Sequence, residues 1–204
     1  MVGYILGLGD RHGENILFDA NNGECVHVDF ACLFEKGLQL AQPEVVPFRL
    51  TANMVDALGV TGTEGVYREA CEVTMSLLRD KQDLLMTNLE TFLHDPLVEW
   101  SKGKADRLNN DREVAPAQHM LCRVQAKLNG QGGTIKEAMQ GVITSTELPL
   151  SVNSQVHRLI VEATSDDRLA AMYVWWSKFH LRVNCILRAN KLCLQCPGHD
   201  GRRL

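Results

Sequence analysis

Long hydrophobic runs are absent from this 204-residue sequence, and so is an excess of positive charge. No stretch of about 18 uncharged apolar residues is present, so the sequence predicts no membrane-spanning helix. A net charge of −4 excludes a generally basic protein that coats nucleic acid. The N-terminal stretch lacks the basic residues of a signal peptide and ends at Asp10 and Arg11. The 7 cysteines are therefore expected to be reduced thiols in the cytosol or nucleus.

The composition that is present is that of a globular protein, with 45% apolar and 23% charged residues. Residues 181–204 differ from the rest and form an atypical basic tail that contains cysteines. Cys193, Cys196 and His199, with Cys185 upstream, imitate a zinc ligand set. The two-residue gap before the histidine is shorter than in common zinc sites, so zinc is not expected there.

The first regular pattern after the N-terminus is a β-hairpin. Residues 16–18 form a short apolar strand, and residues 19–24 are rich in the Asn, Asp and Gly of turns. Residues 25–30 then alternate, with Val26, Val28 and Phe30 on one face. The pattern predicts a hairpin that carries Asn15 and Asp29 at its open end.

Helical periodicity replaces alternation from Thr51 onward, so the fold class is α+β and mainly α. Thr51 is placed to cap a helix that stops at Gly59, and Thr63 a longer one. The apolar stripe of the longer helix comprises Val66, Ala70, Val73, Leu77 and Leu78. Asp80 is placed to cap the following helix, and later helices are predicted at 117–128, 151–163 and near 169–176.

The spacing of three polar residues around the hairpin suggests phosphoryl transfer. Asp10 and Asn15 are five residues apart, and Asp29 follows after the hairpin with Phe30 next to it. Protein kinases have the same Asp-to-Asn spacing, then the Asp of D-F-G. Separately, each residue has an ordinary explanation: a solvated turn, a turn cap or a common dipeptide. In this order within 21 residues, they favour a kinase-type site.

The inverted order Asp10-Arg11-His12 resembles the phosphatidylinositol 3-kinase-related protein kinase family. Pro43 to Thr51 looks like the end of that family's activation loop, and Leu148 to His180 resembles its C-terminal FATC segment. The resemblance extends from residue 1 to about residue 180. It implies a protein-kinase-like C-lobe of the PI3/PI4-kinase type, with the hairpin at its active site, followed by a helical FATC segment.

By this resemblance the chain divides into five segments. Residues 1–100 would be the kinase C-lobe, with a catalytic loop at 7–15 and an activation loop at 27–51. The remaining segments would be a polar insert at 101–116, a helical connector at 117–147, the FATC-like segment at 148–180 and the tail at 181–204.

The resemblance also implies roles for individual residues. Asp10 would be the catalytic base, and His12 would stabilise the transferring phosphate. Asn15 and Asp29 would bind magnesium, with manganese as a substitute, at a site that holds ATP. Leu17 and Val28 would form the floor of the adenine pocket. The activation loop would include Asp29, Phe30, Pro47 and Phe48.

The family's substrates and partners follow from the same resemblance. They are proteins phosphorylated at Ser or Thr followed by Gln in DNA-damage and replication-stress checkpoints. A regulatory subunit would bind the kinase. The kinase would contact DNA only indirectly, through single strands coated by RPA. The implied location is the nucleus, with no membrane partner.

Two alternatives remain open at this level. A lipid kinase of the phosphatidylinositol 3/4-kinase type shares the same motifs, but its activation loop usually carries a basic cluster. Between Phe30 and Thr51 this chain has only Lys36 and Arg49 as basic residues. No Gly-rich loop or strand lysine precedes the catalytic loop, so the chain by itself is expected to be inactive. The second alternative is therefore a non-catalytic, partner-binding fragment.

The FATC-like segment departs from the family pattern at two positions. Trp175 stands where the family has Gly, and Lys178 stands where it has Pro. Both changes remove turn-forming residues, so a less tightly packed end is expected.

Overall fold

The structure, a computed structural model, describes residues 1–93, 114–133 and 148–172. It is mainly helical with one small sheet, as the sequence predicts. The helices are α1 (Val2–Ile5), α2 (Ala52–Ala57), α3 (Val66–Asp80), α4 (Gln82–Leu93), α5 (Val114–Leu128), α6 (Val152–Ala163) and α7 (Asp166–Ala171). A short 3-10 helix, Lys36–Gln39, lies between the sheet and α2.

The sheet is an antiparallel hairpin of β1 (Ile16–Phe18) and β2 (Cys25–His27). Ile16 pairs with His27, and Phe18 pairs with Cys25 next to the turn. The predicted second strand continued to Phe30, but β2 ends three residues earlier. Asp29 has a φ of 58°, a left-handed conformation that cannot continue a strand.

Most of the apolar stripe predicted for α3 is exposed to solvent rather than buried. Val66, Val73 and Leu77 are 80%, 63% and 57% exposed, and only Leu78 of the predicted stripe packs against the core. The buried face of α3 is instead formed by Cys71 and Met75. The helix is therefore apolar on two opposite faces, and its buried face is the less hydrophobic one by residue type.

Two predicted helix starts are also displaced. Helix α3 begins at Val66 rather than near Thr63, because Gly65 at its N-cap has a φ of 96°. Asp80 ends α3 rather than capping α4, and the two helices are separated only by Lys81. The Lys81 amide still bonds to the Leu77 carbonyl at 3.0 Å, so the chain barely leaves the helical path.

The core is a helical cluster that joins the N-terminal part of the chain to its C-terminal part. Met75 of α3, Leu128 of α5 and Val156 of α6 are fully buried in it, together with Ile5 of α1. Leu50, at the end of the predicted activation loop, packs into the same cluster. The segments on either side of the hairpin therefore share one core.

A second, smaller cluster joins α7 to the predicted activation loop. Val46 packs against Leu169 and Met172, and the Arg168 guanidinium bonds to the Val45 carbonyl at 3.3 Å. The FATC-like end of the chain therefore contacts the loop directly. Within the described ranges, none of the helices is long and apolar enough to cross a membrane.

Helix α5 begins at Val114, inside the segment that the sequence assigns to a polar insert. Pro116 lies in its first turn, where a missing amide hydrogen costs no helical hydrogen bond. The rest of that insert and all positions after 172 lie outside the described residues. These positions include Trp175, Lys178 and the cysteines of the tail.

Candidate active site

The hairpin mouth, which we define as residues 10–15 together with Val28 and Asp29, brings the predicted site residues together. The Val28 amide donates to the Asn15 carbonyl at 3.1 Å, which extends the hairpin pairing by one step. The Asn15 side-chain amide donates to the Asp10 carbonyl at 2.8 Å. Asp10, Asn15 and Asp29 therefore share one short stretch of hydrogen-bonded backbone.

Both aspartates of the hairpin mouth have left-handed backbones. The φ of Asp10 is 56° and that of Asp29 is 58°, a region that few residues other than glycine adopt. The Asp29 carboxylate accepts a hydrogen bond from the Ala31 amide at 3.0 Å. Non-glycine residues keep a left-handed conformation only where surrounding contacts hold them in it, and such residues are concentrated at functional sites.

Arg11 holds the hairpin mouth together, a role that the sequence reasoning missed. Its side chain is buried, and its guanidinium donates to the carbonyls of Gly9 at 2.8 Å, Asn15 at 3.2 Å and Val28 at 2.7 Å. The same guanidinium also donates to the Asp29 carbonyl. A planar group with five N–H donors can bond to several carbonyls at once. The position of an arginine between the two predicted catalytic residues was the signal in the sequence for this role.

Two side chains from the predicted activation loop, Glu44 and Arg49, also bond to the backbone of Asp10 and Arg11. The Glu44 carboxylate accepts from the amides of Asp10 at 2.9 Å and Arg11 at 3.3 Å. The buried Arg49 guanidinium donates to the Arg11 carbonyl at 3.1 Å. Burial raises the pKa of Glu44, and the two amide hydrogen bonds partly offset that effect.

His12 lies in the same loop and is partly exposed. Its Nδ1 accepts a hydrogen bond from the Glu14 amide at 3.2 Å, and its carbonyl accepts from the Asn15 amide at 3.1 Å. In this arrangement the proton of a neutral ring lies on Nε2. The ring therefore presents a donor on the side away from the loop backbone.

The predicted adenine-pocket residues share one face of the hairpin. Leu17 pairs with Val26, and the alternation places Val28 and Asn15 on that same face. Leu17 is 44% exposed and Val26 is 49% exposed. This exposed apolar surface adjoins the hairpin mouth.

The predicted activation loop leaves the hairpin mouth at Asp29 and returns to it. Phe30 is 56% exposed, whereas Phe48 packs against the main core and Pro47 is half-buried. The Gly9 amide donates to the Cys32 carbonyl at 2.7 Å, which joins the start of the loop to the predicted catalytic loop. Burial, with Glu44 and Asp10 nearby, raises the pKa of the Cys32 thiol to about 11, so this cysteine is a weak nucleophile.

The donor types present at the hairpin mouth are oxygen atoms, which are compatible with a divalent metal ion. The Asn15 amide nitrogen is occupied by the Asp10 carbonyl, which turns the side-chain oxygen of Asn15 the other way. Amide and carboxylate oxygens such as those of Asn15 and Asp29 are the ligand types that Mg²⁺ takes, since this ion keeps waters and binds substrate phosphates. The part of the chain that the structure describes contains no cluster of three or more His, Cys, Asp or Glu able to bind a metal.

Two family models match this chain. Residues 1–102 match the family described as phosphatidylinositol 3- and 4-kinase, and residues 149–177 match the FATC domain. The chain therefore belongs to the phosphatidylinositol 3- and 4-kinase family, and the FATC match places it in the branch of PI3K-related kinases. This confirms the family and fold predicted from the sequence. A kinase of this family implies ATP and a divalent metal ion as cofactors.

The similar curated proteins narrow the comparison to serine/threonine-protein kinases. The chain is 53% identical over 176 residues to serine/threonine-protein kinase ATR of Oryza sativa subsp. indica, and 51% identical to ATR of Arabidopsis thaliana. It is 49% identical over 179 residues to protein kinase rad3 of Schizosaccharomyces pombe. These matches cover 86% to 88% of this chain but only 6% to 7% of the relatives' own length.

Solved structures give the same result for the fold. The structure described as "FAT and kinase domain of CtTel1" superposes with a TM-score of 0.62 at 40% identity. It covers 86% of this chain, which in turn covers 11% of that chain. The structure described as "Complete CtTel1 dimer with C2 symmetry" matches with the same TM-score and identity.

Proposed function

We propose that this chain is the C-terminal catalytic half of an ATR-like serine/threonine protein kinase. Its reaction moves the γ-phosphate of ATP to a protein Ser or Thr followed by Gln, in checkpoint signalling. The single observation that carries the proposal is the hairpin mouth, where one hydrogen-bonded backbone unit holds Asp10, Asn15 and Asp29. The similar proteins, all named as protein kinases, support protein rather than lipid as the substrate.

In this proposal each side chain has a defined task. Asp10 accepts the proton of the substrate hydroxyl as its oxygen bonds to the γ-phosphorus and the bond to the β-phosphate oxygen breaks. His12 donates from Nε2 to the transferring phosphate. Asn15 and Asp29 bind Mg²⁺, which neutralises the developing phosphate charge when bound.

The apolar and loop residues complete the proposed site. Leu17 and Val28 form the floor beneath the adenine ring, supported by their shared face of the hairpin. Residues 27–51 act as the activation loop, and Asp29, Phe30, Pro47 and Phe48 belong to it. The scarcity of basic residues between Phe30 and Thr51 supports a peptide over a polyanionic lipid headgroup.

The remaining segment boundaries are proposed as the sequence suggests them: C-lobe at 1–100, insert at 101–116, connector at 117–147, FATC-like segment at 148–180 and tail at 181–204. An ATRIP-like regulatory subunit, RPA-coated single-stranded DNA and a nuclear location are proposed from the likeness to ATR. Copurification of the subunit and nuclear imaging of a tagged protein test these points. Consistent cytoplasmic retention, or no copurification, would contradict them.

The catalytic proposal is tested in a chimeric kinase, which we define as full-length rice ATR whose matching C-terminal segment is replaced by this chain. We expect it to phosphorylate a Ser-Gln peptide with Mg-ATP, and we expect Asp29→Ala to lower turnover at least about a thousandfold. Glu24→Gln, in the exposed hairpin turn, is the matched control and should leave turnover unchanged. Equal turnover of Asp29→Ala and the unsubstituted chimera would disprove the site.

Three further measurements separate the alternatives. The isolated 204-residue chain should show no turnover above its own Asp29→Ala variant, because a kinase C-lobe lacks the lysine that holds the α- and β-phosphates. Phosphate transfer to phosphatidylinositol vesicles, without transfer to the peptide, would favour the lipid kinase. Capture of a regulatory subunit by the isolated chain without any turnover would favour the partner-binding fragment.

A further inference from the structure

Glu44 lies far from Asp10 in sequence but touches its backbone. Its carboxylate accepts hydrogen bonds from the amides of Asp10 and Arg11, at 2.9 Å and 3.3 Å. It is thus a side chain of the predicted activation loop that bonds to the backbone of the proposed catalytic base. The reaction as proposed above assigns no task to it.

The carboxylate lies in a tight space that two glycines create. A Cβ added to Gly9 would lie 2.6 Å from the Glu44 Oε2 atom, and one added to Gly37 would be closer still. The Glu44 amide also donates to the Gly37 carbonyl at 3.1 Å. The Glu44 carboxylate is therefore packed directly against both glycines, and a side chain at either position would displace it.

The backbone that Glu44 holds has a left-handed conformation. Asp10 has a φ of 56°, a region that is uncommon for non-glycine residues, although aspartate adopts it more often than most. Glu44 binds the amide of Asp10, and Asn15 binds its carbonyl at 2.8 Å. The two peptide groups that flank the Asp10 Cα are thus both restrained, and their orientation determines where the carboxylate points.

The position of Glu44 is in turn set by the C-terminal part of the chain. The Val45 amide lies 3.1 Å from the Met172 sulfur, and the Arg168 guanidinium bonds to the Val45 carbonyl. Val46 is buried against Leu169 and Met172. The residues directly after Glu44 are therefore packed against α7 and the residue that follows it.

We propose that Glu44 is a positioning residue for catalysis, because its carboxylate fixes the left-handed backbone of Asp10 and so the direction of the catalytic carboxylate. The proposal rests on the proposed function, in which Asp10 is the base. Glu44 itself touches no reacting atom. Its removal should therefore lower kcat while leaving the KM for ATP nearly unchanged.

The first arm of the test measures the hydrogen bonds directly. Amide hydrogen exchange of the 204-residue chain should show faster exchange at Asp10 and Arg11 in Glu44→Ala, by about tenfold or more. Glu44→Gln retains one acceptor oxygen and should give an intermediate increase. Core amides of α3 and α6 should be unaffected, which distinguishes the effect from general unfolding. Unchanged exchange at Asp10 and Arg11 in Glu44→Ala would overturn the proposal.

The second arm measures turnover in the chimeric kinase. We expect Glu44→Ala to lower kcat by about a hundredfold, because small misplacements of a reacting group cost that much. Glu44→Gln should restore part of the loss, and the control Glu24→Gln should have no effect. A faster-exchanging Glu44→Ala with normal kcat would overturn the positioning role. An unsubstituted chimera that transfers no phosphate would instead disprove the proposed function, while the exchange arm still decides whether Glu44 fixes Asp10.

Discussion

At the interface of α3 and α6 the buried side chains are mostly apolar, and Met75 and Val156 are completely excluded from solvent. At the hairpin mouth the buried side chains are polar: Arg11 donates to four carbonyls, and Asn15 to a fifth. The free energy of the first region comes from apolar burial, which has no direction. The second region depends on hydrogen bonds, which fix orientation. Stability and catalytic geometry therefore reside in different parts of this chain.

The core also contains polar contacts, but they serve a different purpose. The buried Gln155 of α6 donates to the Lys127 carbonyl at 2.8 Å and accepts from Arg79 of α3 at 2.6 Å. These contacts satisfy groups that would otherwise be buried without partners. They fix how α3, α5 and α6 are aligned, whereas the surrounding apolar residues supply most of the stabilising free energy.

The largest stability effect should arise in the apolar core. Met75→Ala removes a fully buried side chain and should lower the free energy of unfolding by about 2–5 kcal/mol, as measured by urea denaturation. Exchange at the Asp10 amide should not change while the chain stays folded. Val73→Ala, on the exposed face of the same helix, is the matched control and should have an effect below about 1 kcal/mol. Equal losses for the two variants would contradict the assignment of the buried face.

A substitution in the hairpin mouth should lower kcat as well as stability, unlike a substitution in the apolar core. Arg11→Lys keeps the charge but loses the planar fork, so at least one buried carbonyl loses its donor, at a cost of about 1–3 kcal/mol in unfolding free energy. The chimeric kinase should lose roughly ten- to a hundredfold in kcat, because small displacements of a reacting group cost that much. A normal kcat would show that the four carbonyl contacts do not set the site geometry.

The first turn of α6 offers a smaller effect in the helical region. Ser151 is the N-cap of α6, and its hydroxyl accepts a hydrogen bond from the Ser154 amide at 3.1 Å. Ser151→Ala should lower the unfolding free energy by about 1 kcal/mol. Ser151→Asp, which restores an acceptor, should recover that loss in the same denaturation experiment. No difference between the two variants would exclude a capping role.

The smallest effect should be a pH dependence where the activation loop meets α5. Burial raises the pKa of Glu35, but the opposing effects of Lys127 at 2.8 Å and of Arg123 leave it below its ordinary value of 4.5. The folded chain thus keeps this carboxylate charged where the unfolded chain protonates it. Its contribution is present above about pH 4.5 and should be lost as the pH falls through the lower folded value. Denaturation of Glu35→Gln across that range should lack this component of the slope.

The hairpin was predictable because it depends on local sequence. Alternating apolar residues and a turn of Asn, Asp and Gly specify two paired strands, and β1 matches the predicted strand residue for residue. The end of β2 was not predictable from alternation, since the left-handed Asp29 is held by Arg11 and Ala31. The contacts of Glu44 were not predicted, because its partners are backbone amides more than thirty residues away, which leave no residue pattern.

The α3 stripe shows the limit of periodicity. Spacing identified a helix with an apolar face, but Val66, Val73 and Leu77 are exposed, and Cys71 and Met75 are buried. A helix with apolar residues on both sides can pack by either one, so its own sequence does not decide which is covered. Helix α6 determines which face of α3 is buried, because its apolar residues Val156, Leu159 and Ile160 face α3 and the common core.

By itself, the sequence determined the order and type of the main elements, and the identity of three polar residues in a kinase-like order. These features depend on interactions between near neighbours, which periodicity and turn composition express directly. Only the tertiary structure decided how the Asp10 backbone is held, which face of α3 is buried, and that α7 packs beside Glu44. Each of these depends on residues distant in the chain, whose contacts are fixed only when the shared core forms.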